Sequence, residues 1–177
     1  ITAPLTFAGS VARQILEKKG VFIASHISSI GTVQDCGFLD FPLKSDSIKK
    51  LHDMEIPVID AKAGEKMAEE IKRHKEDCNS VGGVIECAVC GVPAGIGSPF
   101  FESVESALAA MMFSIPAVKG IEFGKGFEMT HMSGFEANDN YVVKDGKVEA
   151  LSNNNGGVLG GITNGMPIIF RVAIKPT

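Results

Sequence analysis

The sequence predicts an α+β sandwich, with helices layered against antiparallel sheets, and three observations carry that expectation. Segments of helical and strand periodicity alternate along the 177 residues. Asp145-Gly146 supplies hairpin-turn chemistry between two short β-prone runs. The phosphate-loop signatures of parallel doubly wound folds are missing: no G-x-x-x-x-G-K-[ST] occurs, and Gly156-Gly-Val-Leu-Gly-Gly161 leads into a strand rather than joining a strand to a helix.

Element by element, residues 4–19 place Ala8, Val11, Ala12, Ile15 and Leu16 at helical spacing, with Pro4 suited to a first turn and Gly20 to a stop. Residues 21–30 alternate Val21, Ile23, Ser25 and Ile27 with Phe22, Ala24, His26 and Ser28, the pattern of a strand covered on both sides. Residues 32–42 read as irregular. Residues 45–54 predict a short helix capped by Ser45. Residues 61–75 predict a longer one capped by Asp60, with Met67 and Ile71 facing inward. A turn over 79–83 enters a strand over 81–92, and the rigid loop Gly91-Val-Pro-Ala-Gly-Ile-Gly-Ser-Pro99 follows. Residues 102–114 carry an apolar helical stripe of Val104, Ala107, Leu108, Met111 and Met112, read as core packing. Residues 118–123 predict a strand, 127–140 a polar irregular stretch too long for a simple connector, 141–150 a hairpin, and 167–174 a final strand.

Composition narrows the function classes. A hydrophobic content of 45% is ample for a buried core. Apolar runs such as residues 107–113 fall short of the roughly 18 needed to span a bilayer, so no membrane role is expected and cytoplasm is the default compartment. A net charge of −4 without a basic tract opposes a nucleic-acid partner, and an anionic ligand would need a local cationic pocket. The chain starts at Ile1 and stops at Lys175-Pro176-Thr177, directly after a core-like strand, which reads as a partial domain spanning 1–177.

Cys36, Cys78, Cys87 and Cys90 include one C-x-x-C spacing. That spacing lies within a strand, where residues i and i+3 point to opposite faces and cannot share a metal. No metal site is expected, and four thiols fit a reducing compartment. His26, in an apolar strand, reads as a satisfied core histidine. His52 and His74 read as exposed helix residues, and His131, in the polar loop, as a possible ligand contact.

The glycine-rich segment after Ser152 packs five of the chain's 20 glycines into the ten residues 156–165. Such backbone can approach a phosphate or a flat cofactor edge closely, though taken alone it reads first as a tight structural connection, because glycine-rich loops more often serve backbone geometry than ligands. Lys175 alone reads as a solvated strand end.

Five motifs in order then carry a resemblance. They are Gly82-Gly-Val-Ile-Glu, Gly91-Val-Pro-Ala-Gly-Ile-Gly, Ser114-Ile-Pro-Ala-Val-Lys-Gly-Ile-Glu-Phe-Gly-Lys-Gly-Phe127, Asn154-Asn-Gly-Gly-Val-Leu-Gly-Gly-Ile-Thr-Asn-Gly165 and Lys175-Pro-Thr177. Together they resemble the chorismate synthase family over essentially the whole chain, as a central segment of a longer family chain. The resemblance implies a β-α-β sandwich with helices between two antiparallel sheets, a homotetramer, and reduced FMN as cofactor. The implied reaction is anti-1,4-elimination of phosphate from 5-enolpyruvylshikimate 3-phosphate, giving chorismate in the shikimate pathway of aromatic amino-acid biosynthesis.

Carried onto this sequence, the resemblance places Lys175, Pro176 and Thr177 at the FMN phosphate, and Gly160 and the pair Pro116 and Ala117 at flavin contacts. Thr2 falls at the second serine of a Gly-Arg-Ser-Ser-Ala-Arg motif, whose second arginine is replaced by Pro4. The family's two acid–base histidines fall upstream of Ile1 and its aspartate downstream of Thr177, so no catalytic residue is assigned within this chain. A noncatalytic scaffold or oligomerisation module of the same fold is the alternative, and a different FMN enzyme is disfavoured by the motif set. If the implied layering holds, the helix face of Leu108, Met111 and Met112 is left partly uncovered in this segment.

Overall fold

The computed structural model describes residues 2–41, 43, 45–144 and 146–177. In chain order the elements are α1 (Thr2–Lys18), β1 (Phe22–Ile30), β2 (Val33–Gln34), α2 (Ser45–His52), α3 (Ala61–Glu76), β3 (Gly83–Cys90), α4 (Val104–Phe113), β4 (Val118–Phe123), α5 (Gly134–Ala137), β5 (Tyr141–Lys144), β6 (Lys147–Ala150), β7 (Val158–Leu159), β8 (Ile162–Thr163) and β9 (Ile168–Ile174). 3₁₀ segments span Phe100–Glu102 and Gly126–His131.

A five-stranded sheet in the order β2-β1-β3-β9-β4 organises the chain, and each neighbouring pair is antiparallel. The mixed helix and antiparallel-sheet class is as the sequence predicts. Because side chains alternate across a strand, the sheet presents two apolar layers. Ala24, Ala88 and Ile169 meet Ile48 and Leu51 of α2, together with Phe38. On the opposite face Cys87, Val89, Ile168, Phe170 and Val172 meet Val104, Leu108 and Met112 of α4. Burying each such large aliphatic or aromatic side chain contributes about 1.5–3 kcal/mol, and this double coverage is what makes β3 and β9 the centre of the fold.

One row of the sheet is charged. His26 of β1 stands opposite Glu86 of β3, Glu86 opposite Arg171 of β9, and Arg171 opposite Glu122 of β4. Basic and acidic side chains therefore alternate across four strands. Arg171 Nε lies 3.0 Å from Glu122 Oε1.

Local signals explain the helix limits. The Asp60 carboxylate accepts from Lys62 N–H at 3.0 Å to start α3, and the Ser103 hydroxyl accepts from Ser106 N–H at 3.0 Å to start α4. In α3 Met67 is fully buried, as expected, but Ile71 is 42% exposed. The buried positions of α3 end at Met67, and the two-residue β2 gives the second half of the helix no sheet to rest on. α1 forms as predicted, yet none of its residues is buried, and Val11 and Ile15 lie open on its surface.

Three stretches differ from the sequence reading. Residues 127–140 are ordered by the 3₁₀ turn and by α5, whose Ser133 and Glu136 form a reciprocal capping box. Within the glycine-rich segment, β7 and β8 form an unforeseen miniature hairpin, because two-residue strands carry no periodic signal. The short β2 interrupts the region expected to be irregular, whose last residue, Pro42, lies outside the described residues. The hairpin β5–β6 is present, with its Asp145 likewise outside them.

Candidate functional site

At the end of α4 the chain turns through Ser114, Ile115 and Pro116 into Ala117, whose φ of +69° is unusual for a residue bearing a Cβ. Ser114 Oγ donates to Met111 C=O at 2.6 Å and Ile115 N–H to Met112 C=O at 3.0 Å, which closes the helix. Lys175 N–H then donates to Ala117 C=O at 3.0 Å, just beyond the paired residues Val118 and Ile174. Three of the expected site residues, Pro116, Ala117 and Lys175, are thereby brought together.

Pro176 is packed beside the start of β3. A Cβ on Gly82 would stand 2.6 Å from Ile174 C=O and 2.9 Å from Pro176 Cδ, so glycine is needed there for the strand end to come this close. The Lys175 side chain is exposed, its Nζ donating to Pro176 C=O at 3.2 Å. Among the described residues no carboxylate pairs with it. Thr177 is also exposed. Thr2 lines an apolar groove of about 570 Å³ between α1 and α4, which continues over Leu5, Met111, Met112 and Ile115 toward Pro116.

Gly160 lies elsewhere. It forms the tip of the β7–β8 hairpin with φ +60°, and a Cβ built on it would meet nothing within 4 Å. That hairpin is tied to the loop of residues 91–99: Thr163 Oγ1 donates to Pro93 C=O at 2.7 Å and accepts from Ile96 N–H at 2.9 Å. Gly161 C=O accepts from Val104 N–H at 3.0 Å, so Gly160 sits at the start of α4 while Ala117 and Lys175 sit past its end. Ten helical residues, roughly 15 Å of rise, separate the two groups. The other glycines of this loop serve backbone contact. A Cβ on Gly156 would be 2.3 Å from Gly124 N, and one on Gly161 would be 2.7 Å from Ser98 C=O.

Asp139 holds the glycine-rich segment in place, and the sequence did not single it out. It is 3% exposed and accepts from Ser152 Oγ at 2.6 Å, Asn154 N–H at 2.7 Å, Asn155 N–H at 3.0 Å and Asn155 Nδ2 at 2.8 Å. Burial by itself pushes its carboxyl up. The hydrogen bonds from Ser152, Asn155 and Asn154 outweigh burial and hold it below its ordinary value. The available signal was the length of the 127–140 stretch, which marked the region but not the residue.

His26 is a satisfied core histidine, as expected. Its Nδ1 lies 3.1 Å from Asp35 Oδ2 and its Nε2 2.9 Å from Glu86 Oε2. His52 is exposed and reaches Ile23 C=O at 3.0 Å. His74 is half-buried rather than exposed, because its Nδ1 is held against Glu70 C=O at 2.9 Å. His131 is exposed at the end of a 3₁₀ turn. Cys87 and Cys90 pack into opposite layers of the sheet. Burial pushes the Cys87 thiol up to about 12, with a smaller contribution from neighbouring Glu86, and burial raises Cys90 as well. Among the described residues no cluster of metal-ligating side chains forms, and no helix is long and apolar enough to cross a membrane.

The chorismate synthase family model matches residues 1–177. The chain belongs to the chorismate synthase family. It is 46% identical to a chorismate synthase of Pyrococcus abyssi over 178 aligned residues, covering 100% of this chain and 48% of the relative. It is 42% identical to one of Lancefieldella parvula, covering 99% of this chain and 49% of the relative. A crystal structure of chorismate synthase superposes with a TM-score of 0.85 at 37% identity, over 95% of this chain and 53% of the other. The chain thus spans about half the length of the chorismate synthases it matches. All five motifs singled out in the sequence fall inside the matched region.

Proposed function

We propose that this chain carries cofactor-contacting elements of a chorismate synthase, which converts 5-enolpyruvylshikimate 3-phosphate to chorismate and phosphate with reduced FMN. The observation that carries the reading is the junction of Lys175 with Ala117, built from two family motifs 58 residues apart that meet in one hydrogen bond. An exposed lysine that pairs with no carboxylate among the described residues stands at that junction and suits an anionic group. Gly160, exposed at the hairpin tip with left-handed backbone, leaves its main chain open to close approach by a ring edge. These residues fit the cofactor.

In this reading the Lys175 ammonium and the Thr177 hydroxyl hold the FMN phosphate by charge and hydrogen bonding. Pro116 and Ala117 present backbone to the flavin, Gly160 admits its edge, and Thr2 borders the same region from α1. Reduced FMN, when bound, supplies electron density as the C–O bond to phosphate breaks. The chain's own part is to fix the cofactor and to exclude water with the apolar groove of Leu5, Met111, Met112 and Ile115. Proton removal from C6 is assigned to no residue among 1–177. The elimination is redox-neutral, releasing phosphate as the new double bond forms. The functional protein is read as a cytoplasmic homotetramer of the shikimate pathway.

An anaerobic assay tests the reading. The full-length gene product and this 177-residue chain are each given the enolpyruvyl substrate and reduced FMN, and chorismate and phosphate are measured. Turnover by the full-length product and none by this chain is expected. Absence of turnover in both would favour a noncatalytic scaffold.

A further inference from the structure

The cofactor reading leaves unused a buried ionisable cluster beneath α2. His26 is 1% exposed and Glu86 2%, and the side chain of Asp35 is fully shielded. Each ring nitrogen of His26 faces a different carboxylate, Nδ1 to Asp35 at 3.1 Å and Nε2 to Glu86 at 2.9 Å. The Phe38 ring meets the imidazole edge-on at 4.5 Å. The same carboxylates accept from backbone: Glu86 Oε2 from Phe38 N–H at 2.6 Å, Asp35 Oδ2 from Ile59 N–H at 2.6 Å, and Asp35 Oδ1 from Asp60 N–H at 2.9 Å.

Counting protons decides what this geometry needs. A nitrogen and a carboxylate oxygen at these separations repel through their lone pairs unless a hydrogen lies between them. Two such contacts require two protons, whereas a neutral imidazole between two carboxylates supplies one. We propose that Asp35, His26 and Glu86 form a two-proton clasp in which His26 is held as imidazolium, and that losing one of those protons loosens the Phe38, Ile59 and Asp60 amides from the carboxylates. These amides lie near the two ends of the excursion between β1 and α3, whose middle is held separately by the burial of Ile48 and Leu51 and by Ile27 N–H donating to Pro57 C=O at 2.8 Å.

Among the described residues the charged groups around the clasp are few. Arg171 stands one strand beyond Glu86, with Glu122 beyond it. Asp60 sits at the α3 cap, and His52 of α2 contacts β1 at Ile23. Arg171 already engages Glu122 and the carbonyls of Gly124 and Lys125. Among the described residues the ring itself is therefore the cation placed between the two carboxylates.

The test is an NMR titration of this chain with nitrogen-15-labelled histidine, His26 being assigned through its contact with the Phe38 ring. Both His26 ring nitrogens are expected to carry protons at neutral pH. As pH rises, one should lose its proton with the same midpoint at which the Phe38, Ile59 and Asp60 amide signals move. In Glu86→Gln, which retains a hydrogen-bonding side chain, the ring should become neutral with its remaining proton on Nδ1. Asp35→Asn should leave the proton on Nε2 instead, which keeps the test usable if one variant fails to fold. A single protonated ring nitrogen in the unsubstituted protein would overturn the clasp, as would a protonated carboxyl in its place. Amide signals that ignore the ring's titration would overturn its hold on those amides.

Discussion

Lys175 donates its backbone N–H to the carbonyl of Ala117 at 3.0 Å, while Ala117 holds the left-handed φ of +69°. The end of β9 is thus tied to a turn whose left-handed backbone strains any residue bearing a Cβ, and a β-branched one most. Ala117→Val should cost about 1–3 kcal/mol, because a β-branched residue is poorly accommodated at positive φ. Ala117→Gly should stay within about 1 kcal/mol of the parent, strain relief offsetting the flexibility gained by the unfolded chain. Urea unfolding with an unchanged m-value checks both.

Lys175→Ala separates binding from folding. The side chain is exposed and bonds only its neighbour's carbonyl among the described residues, so the unfolding midpoint should not move. In the full-length protein, FMN affinity should fall by roughly tenfold or more, the loss of one charge-assisted hydrogen bond. Flavin fluorescence titration measures it. Unchanged affinity would remove Lys175 from the cofactor site.

Two glycines of one loop should behave oppositely. Gly160→Ala meets open space, so its structural penalty is the strain of positive φ, about 1 kcal/mol, while flavin binding weakens. Gly156→Ala drives a methyl into Gly124 N and Ile169 C=O, at 2.3 and 2.6 Å, and should prevent stable folding. Circular dichroism melts of the pair distinguish the roles.

Asp139 should impose an acid limit on stability. Its carboxyl titrates below the ordinary value of 3.8 in the folded chain. Its contribution is therefore complete above that value and fades as pH falls through the lowered one. Asp139→Asn should remove this acid dependence and cost about 1–3 kcal/mol at neutral pH, since an amide cannot accept all four hydrogen bonds. Unfolding free energies between pH 2 and 7, taken about one unit apart, give the comparison.

Thiol labelling should sort the cysteines by place in the fold. Cys36 and Cys78 are exposed and should react quickly with a disulfide reagent at mildly alkaline pH. Cys87, half-buried and with its thiol pushed by burial up to about 12, should react much more slowly than either. Rapid labelling of Cys87 in the folded chain would contradict the packing of β3 between its neighbours.

Local patterns made the elements legible, and long-range register hid the polar contacts. Asp60 capping α3, the opposite facing of Cys87 and Cys90, and the antiparallel class all follow from spacing alone. His26 was readable as a core histidine because its strand is apolar. Its partners were not, since Glu86 reaches it only after β1 pairs with β3, and Asp35 only after β2 folds back along β1. Asp139 belongs to the same class of residue, an ordinary loop aspartate until Ser152, Asn154 and Asn155 fold over it. The inward face expected for Ile71 failed because periodicity specifies a helix face but not how far the opposing sheet extends. The residues at Lys175, Ala117 and Gly160 were visible only through motif resemblance, because backbone geometry, not side-chain chemistry, distinguishes them.

The charged row His26–Glu86–Arg171–Glu122 also acts as a ruler for assembly of the sheet. If β3 slid by one residue, Glu86 would swing into the layer of Val89, Phe170 and Val172, stranding an anion among hydrocarbon. A slide of two residues would keep Glu86 on its own face but set it against Ile169 or Ala173, parting it from both His26 and Arg171. Neither misalignment returns what the correct one supplies, so four strands that could otherwise slip along their shared aliphatic surface have one alignment that keeps Glu86 opposite both His26 and Arg171, and Arg171 opposite Glu122.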